Sequence, residues 1–589
     1  SYWEHNDYRL HTANGNLPQR LAGLPLWLSG DFEFPDVHQA EGWRTSDEWS
    51  VGRELLFASG NDTDEMMFRA RAMITLMGVL LGITLYCWSL SIANWQVALV
   101  ILSLFTFSPS ALAQGGLVTS DMTLAVTLLW AALASWRLVR HRSVANTLLC
   151  GLTWGLLFVS KMSAVAIVPI CALMMLAHFV LLRRGVLSTT MHAVPAVVAW
   201  GCVGLLAWGA IWAFYGFRYA GLDVAVEQSN YFIDWSQLLT GSPLVASAIS
   251  AMRTVQVLPE AYLHGFAFML TFAAERLAFF LGEVRFTGWW YFFPVATAIK
   301  TPLAIFVLMT IGVVALTTWR GADASVHKRR LVVGLVPLLS VFVVYWALAV
   351  SSSLNIGYRH MFPVVPALLV FAGFAWYARH RVVRWVVVGL VLSVVIESMA
   401  VRPHYLGYFN LLVGGPSNGY RYMSDSSVEW GQDLPELSRW LKQNAAGRRT
   451  YLSYFGSSVP SQYGVNAEVL PSFFELSRSG GVAYEPGLYC ISATMLQPIY
   501  VLAKGPWQPA YEEDYQRLRH LYGSGPMVNP PNDNGKGFWL YDNLRFARLI
   551  AYLRTQTPAH RIGLGFHIFD LNEADLKVAL EGPAPFPKG

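Results

Sequence analysis

The chain has 589 residues, of which 54% are hydrophobic, 14% aromatic and 13% charged. Soluble globular proteins carry about 25% charged residues, so a chain this poor in charge is built for lipid, in keeping with its mean hydropathy of +0.40. Basic side chains number 42 against 37 acidic ones, a net charge of +5, and the lack of a basic face with a recognised reader motif argues against nucleic acid as a partner. Cys87, Cys150, Cys171 and Cys202 sit in apolar runs and Cys490 alone in a polar region, which excludes a disulfide scaffold; no Cys/His spacing reads as a zinc site.

Residues 1–66 are polar and rich in Pro, Gly and Trp, and they begin at Ser1 with neither an initiator Met nor a signal sequence. They read as the first outer loop of a longer or processed chain, with one further helix expected upstream. Within them, HNDYRLHTANGNLPQRLAGLPLWL joins Asp7, Arg9 and Arg20 to an amphipathic stretch ending in Leu28. Helices on the membrane surface are expected there, and the charges are either structural or contacts to substrate.

A bilayer core takes about 20 mostly apolar residues per helix, and such stretches recur from Ala72 to Val401. The run from Ala72 to Ser120 is uncharged and too long for one span, with SIANW (Ser91 to Trp95) as its turn. Further spans are expected at Met122–Trp136, Val144–Ser160, Met162–Leu182, Ala193–Tyr215, Trp289–Thr318, Leu331–Val350, Met361–Tyr377 and Trp385–Val401, making about ten. Basic clusters fall on one face of that alternating count: Arg137, Arg140 and Arg142; Arg183 and Arg184; Arg320, Lys328, Arg329 and Arg330; Arg379, Arg381 and Arg384. Basic residues near span ends stay on the cytoplasmic side, which puts residues 1–66, the loop at Asp121, the long loop 217–285, SSSLNIGYRH and the C-terminal segment outside. Phe266 to Leu281, interrupted by Glu275 and Arg276, reads as an interfacial or re-entrant helix.

The informative polar residues gather at the outer ends of spans. Asp121, in GGLVTSDM, is either a helix cap or a general base at the membrane surface. Lys161, in FVSKMSA, is either a snorkelling loop lysine or a contact for a lipid phosphate. In LGEVRFTGWWYFFPVATAIKTPLA, Glu283, Arg285 and Lys300 bracket an aromatic block that a membrane belt explains. Lys300 is expected about three turns inside its span at 1.5 Å per residue, where an ionisable group is a site hypothesis by default. SSSLNIGYRHMFP places Asn355, Tyr358, Arg359 and His360 within one short loop, which is either an ordinary polar loop or, beside Lys161 and Lys300, the seat of an anionic lipid headgroup held by an arginine fork.

Residues 403–589 are mixed in composition and turn-rich (GGPSNG, PPNDNGKG, GPAPFPKG). Leu434–Asn444 has helical spacing, and Thr450–Phe455, Gly487–Ala493 and Gly537–Tyr541 read as strands. The expected architecture is therefore an all-α polytopic membrane domain, 67–402, with amphipathic outer-loop helices, followed by a soluble α/β domain outside the membrane.

Five blocks in order carry a resemblance: NDYRLHTANGNLPQRLAGLPL, SPSALAQGGLVTSD, the LGE…GWWYFFP…KTPLA stretch, SLNIGYRHMFPVVP and YFNLLVGGPSNGYRYMSDSSVEWGQDL. Together the chain resembles bacterial membrane glycosyltransferases of the GT-C superfamily, in the family 39-type group of protein O-mannosyltransferases and the aminoarabinose transferase. The resemblance implies an enzyme of the bacterial inner membrane that moves a sugar, with inversion, from a polyprenyl-phosphate carrier to an acceptor on the periplasmic side. It implies a catalytic role for Asp121 and donor-phosphate contacts from Lys161, Lys300, Arg359, His360 and Tyr358, with Asp7, Arg9, Glu283 and Asn355 as substrate contacts. The family's main catalytic carboxylate would precede Ser1, and a divalent cation is left open because its ligands would lie in the same segment. Sugar and acceptor (protein, lipid or glycan) are not specified. Two alternatives stand beside this reading: a transporter or flippase of lipid-linked glycans, which predicts polar groups at the membrane midplane, and a non-catalytic subunit of a larger membrane assembly.

Overall fold

The computed structural model describes residues 1–36, 40–182, 193–222, 231–240, 242–274, 276–319, 324–474, 481–523 and 536–586. Arg183, Arg184 and Arg320 of the basic clusters lie outside the described residues. The chain divides into two compact units, one of Ser1–Ala274, Phe293–Ser352 and Arg359–Tyr405, the other of Glu275–Phe292, Ser353–Tyr358 and Leu406–Gly589.

The first unit is a helical membrane bundle. Among the described residues, seven helices are long and apolar enough to cross a bilayer: Thr63–Ile92, Ser120–Arg140, Met162–Leu181, Pro195–Phe214, Lys328–Ser351, Tyr358–Tyr377 and Arg381–Ala400. Two bent pairs, Trp95–Thr106 with Pro109–Gly115 and Phe292–Lys300 with Leu303–Thr318, raise the number to nine if each is one span. The remaining expected span is Val144–Phe158, whose 15 residues reach only about 22 Å at 1.5 Å each, short of a ~30 Å hydrocarbon core. It stops there because the chain turns at Val159–Ser160 to deliver Lys161 before the next helix starts. Val144–Phe158 packs on Ala193–Phe214 through small residues: a Cβ on Gly151 would sit 2.6 Å from Leu206, and one on Gly155 2.4 Å from Ala210. Such close backbone approach is how helices associate where lipid gives no hydrophobic drive between them.

The bundle has two chemically distinct ends. At one, Arg137 and Arg140 close the last turn of Ser120–Arg140, Arg330 donates to the Ser91 carbonyl at 2.7 Å and Lys328 to the Thr317 carbonyl at 3.3 Å. At the other, Asp121 begins Ser120–Arg140. Residues 1–66 form short helices, Leu17–Ser29, Glu41–Arg44 and Glu48–Arg53, fastened to the Asp121 end by backbone contacts. Leu17 N–H donates to the Val159 carbonyl at 2.9 Å, and Asn16 Nδ2 and Arg20 Nη2 donate to the Phe214 carbonyl at 2.8 and 2.9 Å. Gly15 is required at this junction, since a Cβ there would lie 2.1 Å from the Val159 carbonyl oxygen.

The expected interfacial helix Phe266–Leu281 is corrected: the helix is Glu260–Ala274, and the chain then enters strand β1, Ala278–Phe280, paired antiparallel with β2, Glu283–Arg285. That hairpin belongs to the second unit, whose centre is a five-stranded sheet of order β4-β3-β5-β7-β6. Its strands are β3 Thr450–Ser453, β4 Glu468–Val469, β5 Gly487–Ser492, β6 His560–Ile562 and β7 Phe566–Leu571, with β4, β3 and β5 parallel, β7 antiparallel to β5, and β6 antiparallel to β7. Side chains alternate across a strand, and here both faces are covered. Tyr451, Tyr489, Ile491 and Phe569 pack with Leu544, Ala547 and Ile550, while Leu452, Leu488, Cys490 and Ile568 pack with Leu434 and Leu437 of helix Leu434–Asn444. The expected strand at Gly537–Tyr541 is a helix instead, Lys536–Leu553. Within it Tyr541–Leu544 and Phe546–Ile550 are buried, and a short apolar window cannot tell such a covered helix from a strand.

Candidate active site

The chemistry-bearing cluster of the membrane bundle is built on Asp121. Its place in the first turn of Ser120–Arg140 sets a carboxylate at the positive end of the helix dipole, and it is fully buried. Lys161, in the break after Val144–Phe158, donates from Nζ to Asp121 Oδ1 at 2.6 Å. Arg359 brings Nη1 to 3.6 Å from Asp121 Oδ2, an oxygen with no hydrogen-bond partner among the described residues. His360 adds its charge to the field at the carboxylate. The side chains of Lys161 and Arg359 keep 15% and 23% of their exposure, against 1% for Asp121, so the cations stay partly accessible while the acid is covered.

One carboxylate therefore serves two cations in a largely dehydrated place. Buried charge is costly unless it is paired, and here Asp121 is paired with Lys161 and lies 3.6 Å from Arg359. The same donor set does not fit a divalent cation, which takes several oxygen ligands.

The loop 1–66 supplies residues that sequence reasoning missed. Ser120 Oγ donates to Asn14 Oδ1 at 2.9 Å, and Asn14 Nδ2 lies 2.9 Å from His11 Nε2. The other ring nitrogen, His11 Nδ1, is bonded to Glu48 Oε2. His11 has a φ of +55°, an uncommon conformation for a side-chain-bearing residue that the fastened loop imposes. Desolvation opposes charge on the ring, but the Glu48 carboxylate outweighs it and holds the imidazole above its usual value, while the Arg359 charge acts the other way. Beside it, Thr12 Oγ1 and His264 Nδ1 are 2.7 Å apart, and Gly265 is needed because a Cβ would meet the Thr12 carbonyl oxygen at 1.8 Å. The polar run HNDYRLHTANGN carried the only available signal for this chain of contacts.

The other expected site residues make contacts of their own. Asp7 and Arg9 clasp each other, with Arg9 Nη2 2.6 Å from Asp7 Oδ2 and both side chains buried. Arg9 also donates to the Trp43 carbonyl at 3.3 Å, so the pair braces the loop. Lys300 is buried, but it ends Phe292–Lys300 at a 99° break before Leu303–Thr318 and so is not three turns inside a continuous span. The cause is local: Pro302 follows and disfavours helix in its neighbour. Glu283 lies in β2 of the second unit, half exposed and 2.6 Å from Arg285. Asn355, also in the second unit, accepts from Trp289 N–H at 2.5 Å and fills the space a Cβ on Gly288 would occupy. Tyr358 is buried in that unit with its N–H donating to Ser427 Oγ at 3.1 Å. Thus Asp121, Lys161, Arg359 and His360 come together in the bundle, and Asp7, Arg9, Glu283 and Asn355 have structural partners of their own.

No protein-family model matches the chain, and no curated protein matches it. Among solved structures the chain is similar to an Archaeoglobus fulgidus oligosaccharyltransferase tethered through a disulfide bond to an acceptor peptide containing the NVT sequon. That similarity has 13% identity and a TM-score of 0.33, and it covers 75% of this chain and 53% of that one, about half of the archaeal chain's length. The chain is also similar to ArnT from Cupriavidus metallidurans in the apo state, with 15% identity, a TM-score of 0.25, and 81% and 88% of the two chains covered.

Proposed function

We propose that this chain is a membrane glycosyltransferase of GT-C type, which moves a sugar from a polyprenyl-phosphate carrier to a hydroxyl or amine acceptor with inversion at the anomeric carbon. The observation that carries the reading is the convergence of Lys161 and Arg359 on the buried Asp121 at the end of an apolar bundle. A departing polyprenyl phosphate develops negative charge, and preorganised cations in a dehydrated site stabilise it most. The isoprenoid tail stays among the apolar helices. Domain limits in this reading are 1–66 for the outer loop, 67–402 for the membrane domain and 403–589 for the soluble domain, with a bacterial inner membrane as the setting and the Asp121 end on the periplasmic side.

In the reaction the bond from the anomeric carbon to the phosphate oxygen breaks, the acceptor oxygen or nitrogen bonds to that carbon from the opposite face, and the acceptor's proton passes to a base. Asp121 is paired with Lys161 at 2.6 Å and lies 3.6 Å from Arg359, and it acts in this reading as the residue that positions Lys161 and Arg359 toward the phosphate. His11, oriented by Glu48, is the group in this chain suited to take the proton, as a histidine backed by a carboxylate does elsewhere. His360 follows Arg359 in the chain and acts on the same cluster in this reading.

The test is release of polyprenyl phosphate by the purified full chain from a polyprenyl-phosphate hexose donor in the presence of candidate acceptors. Asp121→Asn in a folded, inserted protein is expected to abolish release, and unchanged turnover sinks the assignment. One observation favours the transport alternative, the buried Lys300 at a broken helix, since transporters use discontinuous helices for binding. Translocation of a labelled lipid-linked glycan across vesicles, with no polyprenyl phosphate released, would select it.

A further inference from the structure

The second unit carries a cationic surface that the proposed reaction does not use. Arg421 ends the turn of 3-10 helix Pro416–Arg421, Arg561 lies in β6, and Arg554 follows helix Lys536–Leu553. The guanidinium carbons of Arg421 and Arg561 stand 5.8 and 5.9 Å from the centre of the Tyr420 ring, and the charge of Arg554 acts on the same tyrosine. Arg561 Nη1 donates to the Ser417 carbonyl at 3.0 Å, which ties β6 to the loop before Tyr420. Among the described residues, none of these arginines has a carboxylate partner.

The positive field is felt underneath. His567 stands opposite Arg561 across β6 and β7, packs on Tyr420 with ring centres 4.4 Å apart, and is buried with neither ring nitrogen hydrogen-bonded. Burial, together with Arg561 and Arg421, pushes its imidazole down to about 3.

The same loop ends in exposed hydrocarbon. Asn410 caps the short turn Leu411–Val413 by accepting from Leu412 N–H at 3.0 Å, and Gly415 N–H returns to the Asn410 carbonyl at 3.0 Å. Gly414 and Gly415, at φ of +76° and +81°, supply the backbone this needs. At its tip Leu411 and Leu412 are 77% and 62% exposed. The loop follows the last span, which ends at Ala400, and even a fully extended chain from there to Leu411 covers no more than about 40 Å, so the tether keeps it within reach of the bilayer.

We propose that the loop Asn410–Arg421, with Arg554 and Arg561, is a membrane-docking site: Leu411 and Leu412 enter the acyl boundary, and the three guanidiniums bind the phosphates of anionic lipid headgroups. Arginine forks match phosphate geometry, adjacent leucines supply the apolar anchor of an interfacial segment, and the missing acidic partners are what a lipid surface provides. Each arginine contributes roughly a fivefold gain in surface affinity.

The full chain is placed in nanodiscs of phosphatidylcholine alone or with added phosphatidylglycerol, and hydrogen–deuterium exchange is followed in peptides covering 408–421 and 554–567. Both regions are expected to exchange at least about fivefold more slowly with phosphatidylglycerol, the difference vanishing at high salt, while inorganic phosphate added to phosphatidylcholine discs has no such effect. Arg421→Gln with Arg561→Gln is expected to lose the difference. Equal exchange in the two lipids, an undiminished response in the double variant, or reproduction of the effect by inorganic phosphate would overturn the proposal. Should the double variant already differ from the parent in phosphatidylcholine discs, Leu411→Ser with Leu412→Ser takes its place, and a response equal to the parent's overturns the proposal in the same way.

Discussion

Replacing Lys161 with Met separates a phosphate site from a catalytic acid. In the folded protein Lys161 Nζ touches Asp121 Oδ1 at 2.6 Å while keeping 15% of its side-chain exposure, and an ammonium has further donors to offer an anion. A hydrogen bond to a charged group contributes about 1.5–3 kcal/mol, and each 1.4 kcal/mol is a tenfold change in affinity. Polyprenyl phosphate, without sugar, is therefore expected to bind Lys161→Met roughly ten- to a hundredfold more weakly, read by calorimetry on the purified full chain in detergent. The substitution also leaves Asp121 with Arg359 alone, and an unpaired buried charge costs about 3–5 kcal/mol. The double variant Asp121→Asn with Lys161→Met removes that mismatch and should regain stability without regaining affinity. Asp121→Asn alone removes the carboxylate that positions Lys161 and Arg359, so it should weaken phosphate binding along with turnover. Undiminished affinity in folded Lys161→Met would refute the argument, because the cations would then not face the phosphate.

Three further outcomes follow from the same geometry. If His11 takes the acceptor's proton, kcat/KM should rise with pH as the ring loses its charge; Glu48→Gln removes the interaction that holds the ring above its usual value, so the rising limb should move to lower pH, and an unmoved limb would separate His11 from the reaction. Gly15→Ala puts a methyl group 2.1 Å from the Val159 carbonyl oxygen, an overlap of the kind that costs about 1–3 kcal/mol, and should release the 1–66 loop, seen as faster proteolysis of the loop and reduced turnover. Burial of Glu429 pushes its carboxyl from 4.5 to about 8 despite the hydrogen bond from Thr494 N–H, so the folded soluble unit keeps a proton that the unfolded chain releases. Its stability should be greatest below pH 4.5 on this account and fall by up to about 1.4 kcal/mol per pH unit through the window to 8, and Glu429→Gln should flatten that slope in urea melts of the full chain.

The membrane architecture was legible because its cause is one-dimensional: a span is a run of apolar residues long enough for the bilayer, and that run is written in the chain. The soluble helix Leu434–Asn444 and the cores of β3 and β5 were legible for the related reason that amphipathic period and β-branched or aromatic runs are local. What failed was decided by tertiary context. Gly537–Tyr541 has the composition of a strand but belongs to a longer helix whose inward face meets the sheet, and Ala278–Phe280 leaves a helix because it pairs with Glu283–Arg285. Asp121, Lys161 and Arg359 were visible as charged residues at the outer ends of apolar spans, whereas Asp7 and Arg9, in the polar first segment, could be read either way and proved to neutralise each other. Charge scarcity locates ionised groups, and only geometry tells a closed pair from an open cluster.

That distinction also explains the part played by the first 66 residues. A cluster with one acid and two cations at the end of a bundle, left open to water, would lose most of its electrostatic strength to solvent screening. The loop limits that loss: Asn14 reaches Ser120, His11 and Glu48 stand beside Arg359, and Gly15 and Gly265 let the backbone close down on Val159 and Thr12 to within a few ångströms. The same contacts place His11, an imidazole with the Glu48 carboxylate behind it, within the field of Arg359. Loosening the loop at Gly15 is therefore expected to weaken phosphate binding and proton transfer together, whereas Lys161→Met weakens the first and Glu48→Gln alters only the second, a pattern that three variants and two assays resolve.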